Sequence, residues 1–261
     1  MADSAFTRRR GLFGLFGLSL ASVLALGGWW LWPRPSLEAE PTPAALPLVV
    51  LVSGYGGDGR DLVPIVAALE AQEREVAVFP PVGDNTGDLE EQAAMLGDFI
   101  DKERGEAETV DVIGYSAGGV VARLWVTDDG GDTVARRVLT IAAPHHGTAL
   151  AGLADLAGFC DGSCAQLIPD SDLLARLNAD DETPSGPEWI SIWSDSDRTV
   201  TPPSTASLDG ALNLTVQSIC PDATTGHAGL PASPVVTAAL VTALGADTPS
   251  APVASDVTCD G

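Results

Sequence analysis

Lysine is nearly absent: Lys102 is the only one in 261 residues. Thirteen basic residues face 36 acidic ones, giving a formal net charge of −23 at pH 7. The bases are also unevenly placed. Residues 1–35 hold Arg8, Arg9, Arg10 and Arg34 against Asp3 alone, which leaves −26 on the rest of the chain. A surface so acidic repels phosphate backbones and anionic headgroups, so nucleic acid is excluded as a partner of the folded part. Cysteine is scarce as well, with only Cys160, Cys164, Cys220 and Cys259. Only the first two are close, and no second short-spaced pair completes a tetrahedral zinc site, so no bound metal is expected. Even in number and all downstream of an apolar N-terminal run, the cysteines fit an exported domain with two disulfides. Cys160 is expected to pair with Cys164, and Cys220 to hold Cys259 in a tail with little else to bury. No internal repeat divides the chain.

The N-terminal run is the longest apolar stretch. Gly11–Trp32 is 22 residues without a charge, preceded by Arg8-Arg9-Arg10 and ended by Trp29, Trp30 and Trp32. A helix of that length crosses a ~30 Å hydrocarbon layer. The arginines keep its start in the cytoplasm, and indoles favour the far interface. An uncleaved anchor over residues 1–32, with the rest outside the cytoplasm, is therefore expected. A cleaved signal and a secreted product is the alternative, since Ala25-Leu26-Gly27 formally fits a cut site. Residues 33–46 form a proline-rich linker. Residues 47–245 form the domain, and 246–261 a polar tail.

Within the domain, strand and helix patterns alternate. Leu48–Val52, Val76–Phe79, Val110–Ile113, Arg137–Ala142, Glu188–Trp193 and Leu212–Val216 read as strands. Helices are expected over Leu62–Gln72, Leu89–Glu103, Ala117–Val126 and Pro234–Leu244, with an irregular stretch over 149–187 that holds one helix at Ser171–Asn178. This alternation gives the fold class: α/β, a mostly parallel sheet with helices on both faces.

Chemistry enters at Gly114-Tyr115-Ser116-Ala117-Gly118, set between a β-branched strand and an apolar helix. That context makes G-x-S-x-G a nucleophile elbow, a sharp strand-to-helix turn that lifts a serine hydroxyl above the sheet edge. A serine needs a base to take its proton. Among His145, His146 and His227, only His227 follows an acid-bearing loop and precedes the closing helix, as the chain order serine, acid, histidine requires. His145 and His146 come too early and are expected to brace loops. The acid lies past the Trp193 strand. Asp197 is preferred over Asp195, which directly follows that strand and can cap the turn, while Asp209 and Asp222 are weaker candidates. Two backbone N–H groups should receive the oxyanion, that of Ala117 after the nucleophile and that of Tyr55 in the loop after the first strand. That loop, Gly54-Tyr55-Gly56-Gly57-Asp58-Gly59, also satisfies G-x-G-x-x-G. A dinucleotide site wants an acid at the end of the next strand, and here Phe79 runs into Pro80-Pro81, so no such cofactor is expected.

Taken together, Val52-Ser53-Gly54-Tyr55-Gly56-Gly57, Gly114-Tyr115-Ser116-Ala117-Gly118-Gly119, Pro144-His145-His146-Gly147-Thr148 and Gly226-His227-Ala228-Gly229-Leu230 resemble the small bacterial lipases and esterases of the α/β-hydrolase fold. The resemblance spans about Pro47–Leu244. It implies Ser116 as nucleophile, Asp197 as acid, His227 as base, and Tyr55 and Ala117 as oxyanion donors. It further implies a compact domain with no large separate cap, acting as a monomer on lipid-like esters without cofactor. Many relatives carry His-Gly where this chain has Ser53-Gly54. Acyl transfer through the same residues, and a non-catalytic binding protein of the same fold, are the other functions that this pattern admits.

Overall fold

The computed structural model describes residues 46–245 and 247–259. Six strands form one sheet: β1 (Leu48–Val52), β2 (Val76–Val78), β3 (Val110–Tyr115), β4 (Ala135–Ile141), β5 (Glu188–Trp193) and β6 (Leu212–Thr215). The order is β2-β1-β3-β4-β5-β6, and every pairing is parallel. The helices are α1 (Val63–Glu70), α2 (Leu89–Glu103), α3 (Ala117–Asp128), α4 (Ala149–Leu156), α5 (Ser163–Gln166), α6 (Asp172–Leu177), α7 (Val216–Ile219) and α8 (Pro234–Gly245).

Both faces of the sheet are covered, which is why β1 reads as an unbroken apolar run. Alternate residues point to opposite faces. Leu48, Val50 and Val52 pack with Leu96, Val121 and Leu124 of α2 and α3, while Val49 and Leu51 pack with Ile65 and Leu69 of α1 and Leu240 of α8. Fully burying each such side chain contributes roughly 1.5–3 kcal/mol. The sheet thus lies between two helical layers, and no separate cap stands among the described residues.

Most expected elements are present with shifted ends. The helix expected from Leu62 opens as a 3-10 turn at Arg60–Leu62, and α1 proper starts at Val63 with Pro64 in its first turn, where the missing N–H is harmless. The main correction concerns 149–187. That stretch holds α4, α5 and α6 rather than one helix. α4 is short and capped by the Thr148 side chain, which accepts from the Leu150 N–H. Its Leu150, Leu153 and Leu156 face outward, with Leu156 85% exposed, so no burial pattern marked it. Among the described residues no helix is long and apolar enough to cross a membrane. The Gly11–Trp32 run and linker residues 33–45 lie outside the described residues.

The expected disulfides are both formed, Cys160 to Cys164 and Cys220 to Cys259. A charged cluster ties the sheet to α8 at the end where the strands begin. Asp111, fully buried, accepts from Arg74 and Arg136. Arg74 and Arg136 also donate to the Leu244 carbonyl, and Arg137 to that of Ala243. Cations suit the negative end of a helix, so these three arginines fix α8 by its last turn.

Candidate active site

β1 is followed by β2 on one side of it and the chain then returns to β3 on the other, so the strand order reverses at the carboxyl ends of β1 and β3. Ligands of open parallel sheets bind at such switch points. Ser53-Gly54-Tyr55 leaves β1 there, and Ser116 follows β3.

Ser116 has φ 54° and ψ −128°, a conformation that non-glycine residues rarely adopt and that costs of order 1–3 kcal/mol. Packing holds it in place. A Cβ on Gly114 would sit 2.5 Å from the Gly118 carbonyl oxygen and the Gly119 Cα. One on Gly118 would strike the carbonyls of Val52 and Ser53. The elbow closes only because both positions lack a side chain. The Ser116 N–H donates to the Ile141 carbonyl at 2.8 Å, tying the turn to the end of β4.

The structure brings Ser116, His227 and Asp197 into one hydrogen-bonded chain. Ser116 Oγ lies 3.1 Å from His227 Nε2, and His227 Nδ1 lies 2.7 Å from Asp197 Oδ2. Asp197 is 1% exposed, and its Oδ1 accepts from the N–H groups of Thr199 at 2.7 Å and Val200 at 3.0 Å. One carboxylate oxygen is therefore engaged by the backbone and the other is left for the imidazole. That arrangement makes Nδ1 the protonated nitrogen and leaves Nε2 to accept from the serine hydroxyl. Asp195 is exposed, and its N–H donates to Gln217 Oε1, so it takes no part. Asp209 is likewise exposed, and its N–H donates to Glu182, while Asp222 is exposed.

The N–H groups of Tyr55 and Ala117 have no hydrogen-bond partner among the described residues. Ala117 opens α3, whose first-turn N–H groups have no acceptor within the helix. Gly54 places the Tyr55 loop in contact with Ser116, since a Cβ on it would fall 2.8 Å from Ser116 Cβ.

The two early histidines brace loops. His145 is fully buried; its Nε2 lies 3.1 Å from Thr140 Oγ1, and its carbonyl accepts from Asn178. Burial, with Arg123 and His146 nearby, pushes its pKa well down and keeps the ring neutral. His146 contacts Glu182 at 2.8 Å and the Thr205 carbonyl.

Two supports have no sequence signature. Tyr115 donates its hydroxyl to the His227 carbonyl at 3.1 Å, and its ring lies 5.1 Å from the imidazole. Burial, then the Asp61 and Asp197 charges, push that hydroxyl's pKa up, so it stays a donor. Gln217 donates to Ser194 Oγ and to the Ala223 carbonyl, joining the loop that carries Asp197 to the one that carries His227. Both contacts form across the fold, where no local pattern announces them.

Residues 82–161 match the family model described as a PGAP1-like alpha/beta domain, a stretch that contains Ser116. No curated protein matches the chain in sequence. Among solved structures, lipase B of Aspergillus fumigatus superposes with a TM-score of 0.69 at 21% identity, over 78% of this chain and 54% of that one. The chain thus spans about half the length of that lipase. The mature lipase BlEst2 of Bacillus licheniformis gives 0.56 at 17% identity, over 67% of this chain and 84% of its own. The lin2722 product of Listeria innocua gives 0.56 at 14%, over 80% and 97%. At these identities the likeness is one of fold: the chain has the α/β-hydrolase fold of lipases and esterases.

Proposed function

We propose that this chain, an α/β-hydrolase by fold, is a serine hydrolase that cleaves carboxylic esters through an acyl-enzyme. The observation that carries the reading is the run of contacts from Asp197 Oδ2 to His227 Nδ1 (2.7 Å) and from His227 Nε2 to Ser116 Oγ (3.1 Å), on a serine held at an elbow. Ser116 Oγ attacks the ester carbonyl carbon while His227 Nε2 takes its proton. Asp197 holds the imidazole in the required tautomer and stabilises its cation. The Tyr55 and Ala117 N–H groups receive the negative oxygen, each such donor contributing about 2.7–4 kcal/mol to the transition state. His227 then protonates the leaving alkoxide, and the C–O bond to it breaks. Water, deprotonated by the same imidazole, releases the acid and restores Ser116. Nothing in these steps calls on a metal or cofactor.

The ester is lipid-like in this reading. The start of α4 is tied to the loop that carries Asp197: the Ala149 N–H donates to the Thr201 carbonyl, and Thr148 Oγ1 to that of Thr199. Leu150, Leu153, Leu156 and Phe159 in and just after that helix are exposed, and such apolar side chains suit a long acyl chain. The disulfides suit an oxidising compartment, and the Gly11–Trp32 run suits an anchor that keeps the domain beside a membrane.

Fluorophosphonate labelling in fractionated cells tests the whole reading. The expected label sits on Ser116, disappears in Ser116→Ala, and is carried by washed membranes at the full-length mass. Absence of Ser116 labelling in folded protein would defeat the enzymatic reading. A labelled form starting between Gly28 and Pro47 would mean a released enzyme instead of an anchored one.

A further inference from the structure

We infer that Asn85 is a positioning residue that locks the oxyanion loop in its active orientation; this rests on the hydrolytic reading of Ser116. The Gly54 carbonyl and the Tyr55 N–H belong to one peptide unit. In a trans peptide they point in opposite directions, so whatever fixes the carbonyl also aims the N–H. Asn85 Nδ2 donates to the Gly54 carbonyl at 2.8 Å. The Gly57 N–H donates to the same oxygen at 2.9 Å. On the other side of Tyr55, the Gly56 N–H donates to the Asn85 carbonyl at 3.0 Å. Asn85 thus grips both peptide units that flank Tyr55, one with its side chain and one with its backbone. A longer contact, 3.4 Å, runs from Nδ2 to Ser53 Oγ.

The residue type follows from the geometry. Asn85 has φ 60°, in the left-handed region where asparagine is among the few side chains commonly found. It is 5% exposed, so its amide is shielded from competing water. Its own loop is pinned in turn. The Asn85 N–H donates to the Val82 carbonyl, and both the N–H and the hydroxyl of Ser163 donate to the Thr86 carbonyl at 3.0 Å. A brace this well held resists rotation of the Gly54–Tyr55 peptide. Such a rotation would turn a carbonyl oxygen, in place of an N–H, toward the developing oxyanion.

Two variants of the full chain test this. Asn85→Asp keeps the shape and replaces the donor with a second acceptor facing the Gly54 carbonyl. Asn85→Gly tolerates the backbone angle and removes the side chain. Turnover of p-nitrophenyl butyrate is measured per active site, titrated with a fluorophosphonate, together with the affinity for a trifluoromethyl ketone that mimics the tetrahedral adduct. The expected result is a kcat lower by about 10- to 100-fold, bounded by the roughly 10²–10³-fold effect of losing an oxyanion donor outright. KM should stay within about threefold, because the interaction is made in the transition state. Affinity for the ketone should fall in step with kcat. A kcat per titrated site within about twofold of the parent in either variant overturns the inference, as does a loss explained wholly by the folded fraction. A parent chain without ester turnover or Ser116 labelling overturns the hydrolytic reading itself, and this inference with it.

Discussion

Replacing Asp197 by asparagine separates the charge of the acid from its hydrogen bonds. The two N–H groups on Asp197 Oδ1, from Thr199 at 2.7 Å and Val200 at 3.0 Å, decide how the new side chain sits. Both need an acceptor, so the asparagine carbonyl must take that side. An unmet buried N–H would otherwise cost about 1–3 kcal/mol each. Its NH2 is then driven toward His227 Nδ1, where the carboxylate Oδ2 now stands at 2.7 Å. Nδ1 must become the acceptor, and the imidazole proton moves to Nε2, facing Ser116 Oγ. In that tautomer the ring cannot take the serine proton, although every heavy atom stays in place. The same replacement in a Ser-His-Asp triad lowers kcat about 10⁴-fold, close to 5.5 kcal/mol at 1.36 kcal/mol per factor of ten. Steady-state kinetics on p-nitrophenyl butyrate should show that loss in Asp197→Asn, with a Tm near that of the parent. Asp195→Asn, at an exposed position, should keep kcat within about twofold. A loss of less than about tenfold in folded Asp197→Asn would refute the tautomer argument.

Burial of neutral His145 makes the fold sensitive to acid. Its folded pKa is depressed well below the ordinary 6.5, so below about pH 6.5 the unfolded chain binds the extra proton, and stability falls as pH falls by up to about 1.4 kcal/mol per unit. Denaturant midpoints between pH 7 and 5 should show a shallower slope in His145→Gln; an identical slope would place the acid sensitivity elsewhere. The two disulfides should differ in weight. Cys220 and Cys259 are 39 residues apart and Cys160 and Cys164 only 4, so chain entropy assigns about 4 kcal/mol to the first and about 2 to the second. Thermal melts should therefore place Cys259→Ser clearly below Cys164→Ser, and the reverse order would contradict that assignment.

The Ser116 turn was legible because its constraints are local. Gly114 and Gly118 sit within four residues of each other, and the strand and helix that frame Ser116 are contiguous with it. His227 and Asp197 followed from chain order, and Asp197 was preferred over Asp195 by its place further round the loop, with the resemblance in support, but the two backbone N–H groups that hold its carboxylate are presented only by the folded loop. Helix α4 was missed because hydrophobic periodicity signals burial, and its Leu150, Leu153 and Leu156 stripe is turned outward. Asp111 interrupts an apolar strand, and its partners Arg74 and Arg136 stand 37 and 25 residues away. Asn85 lies in a glycine-bounded turn that reads as ordinary loop chemistry, although its amide reaches back 31 residues to Gly54.

The strand order β2-β1-β3-β4-β5-β6 has a bearing on timing. From β4 onward each new strand docks on the one made just before it, at the same growing edge. A chain emerging N-terminus first therefore never has to open a finished pairing to admit a later strand. The Ser116 turn is complete once β4 has met β3, yet Asp197 arrives only after β5 and His227 only after β6. Until then Ser116 sits in a finished turn without the imidazole that its Oγ contacts. On the hydrolytic reading proposed above, the site becomes competent only when the His227 segment docks, after all six strands are in place.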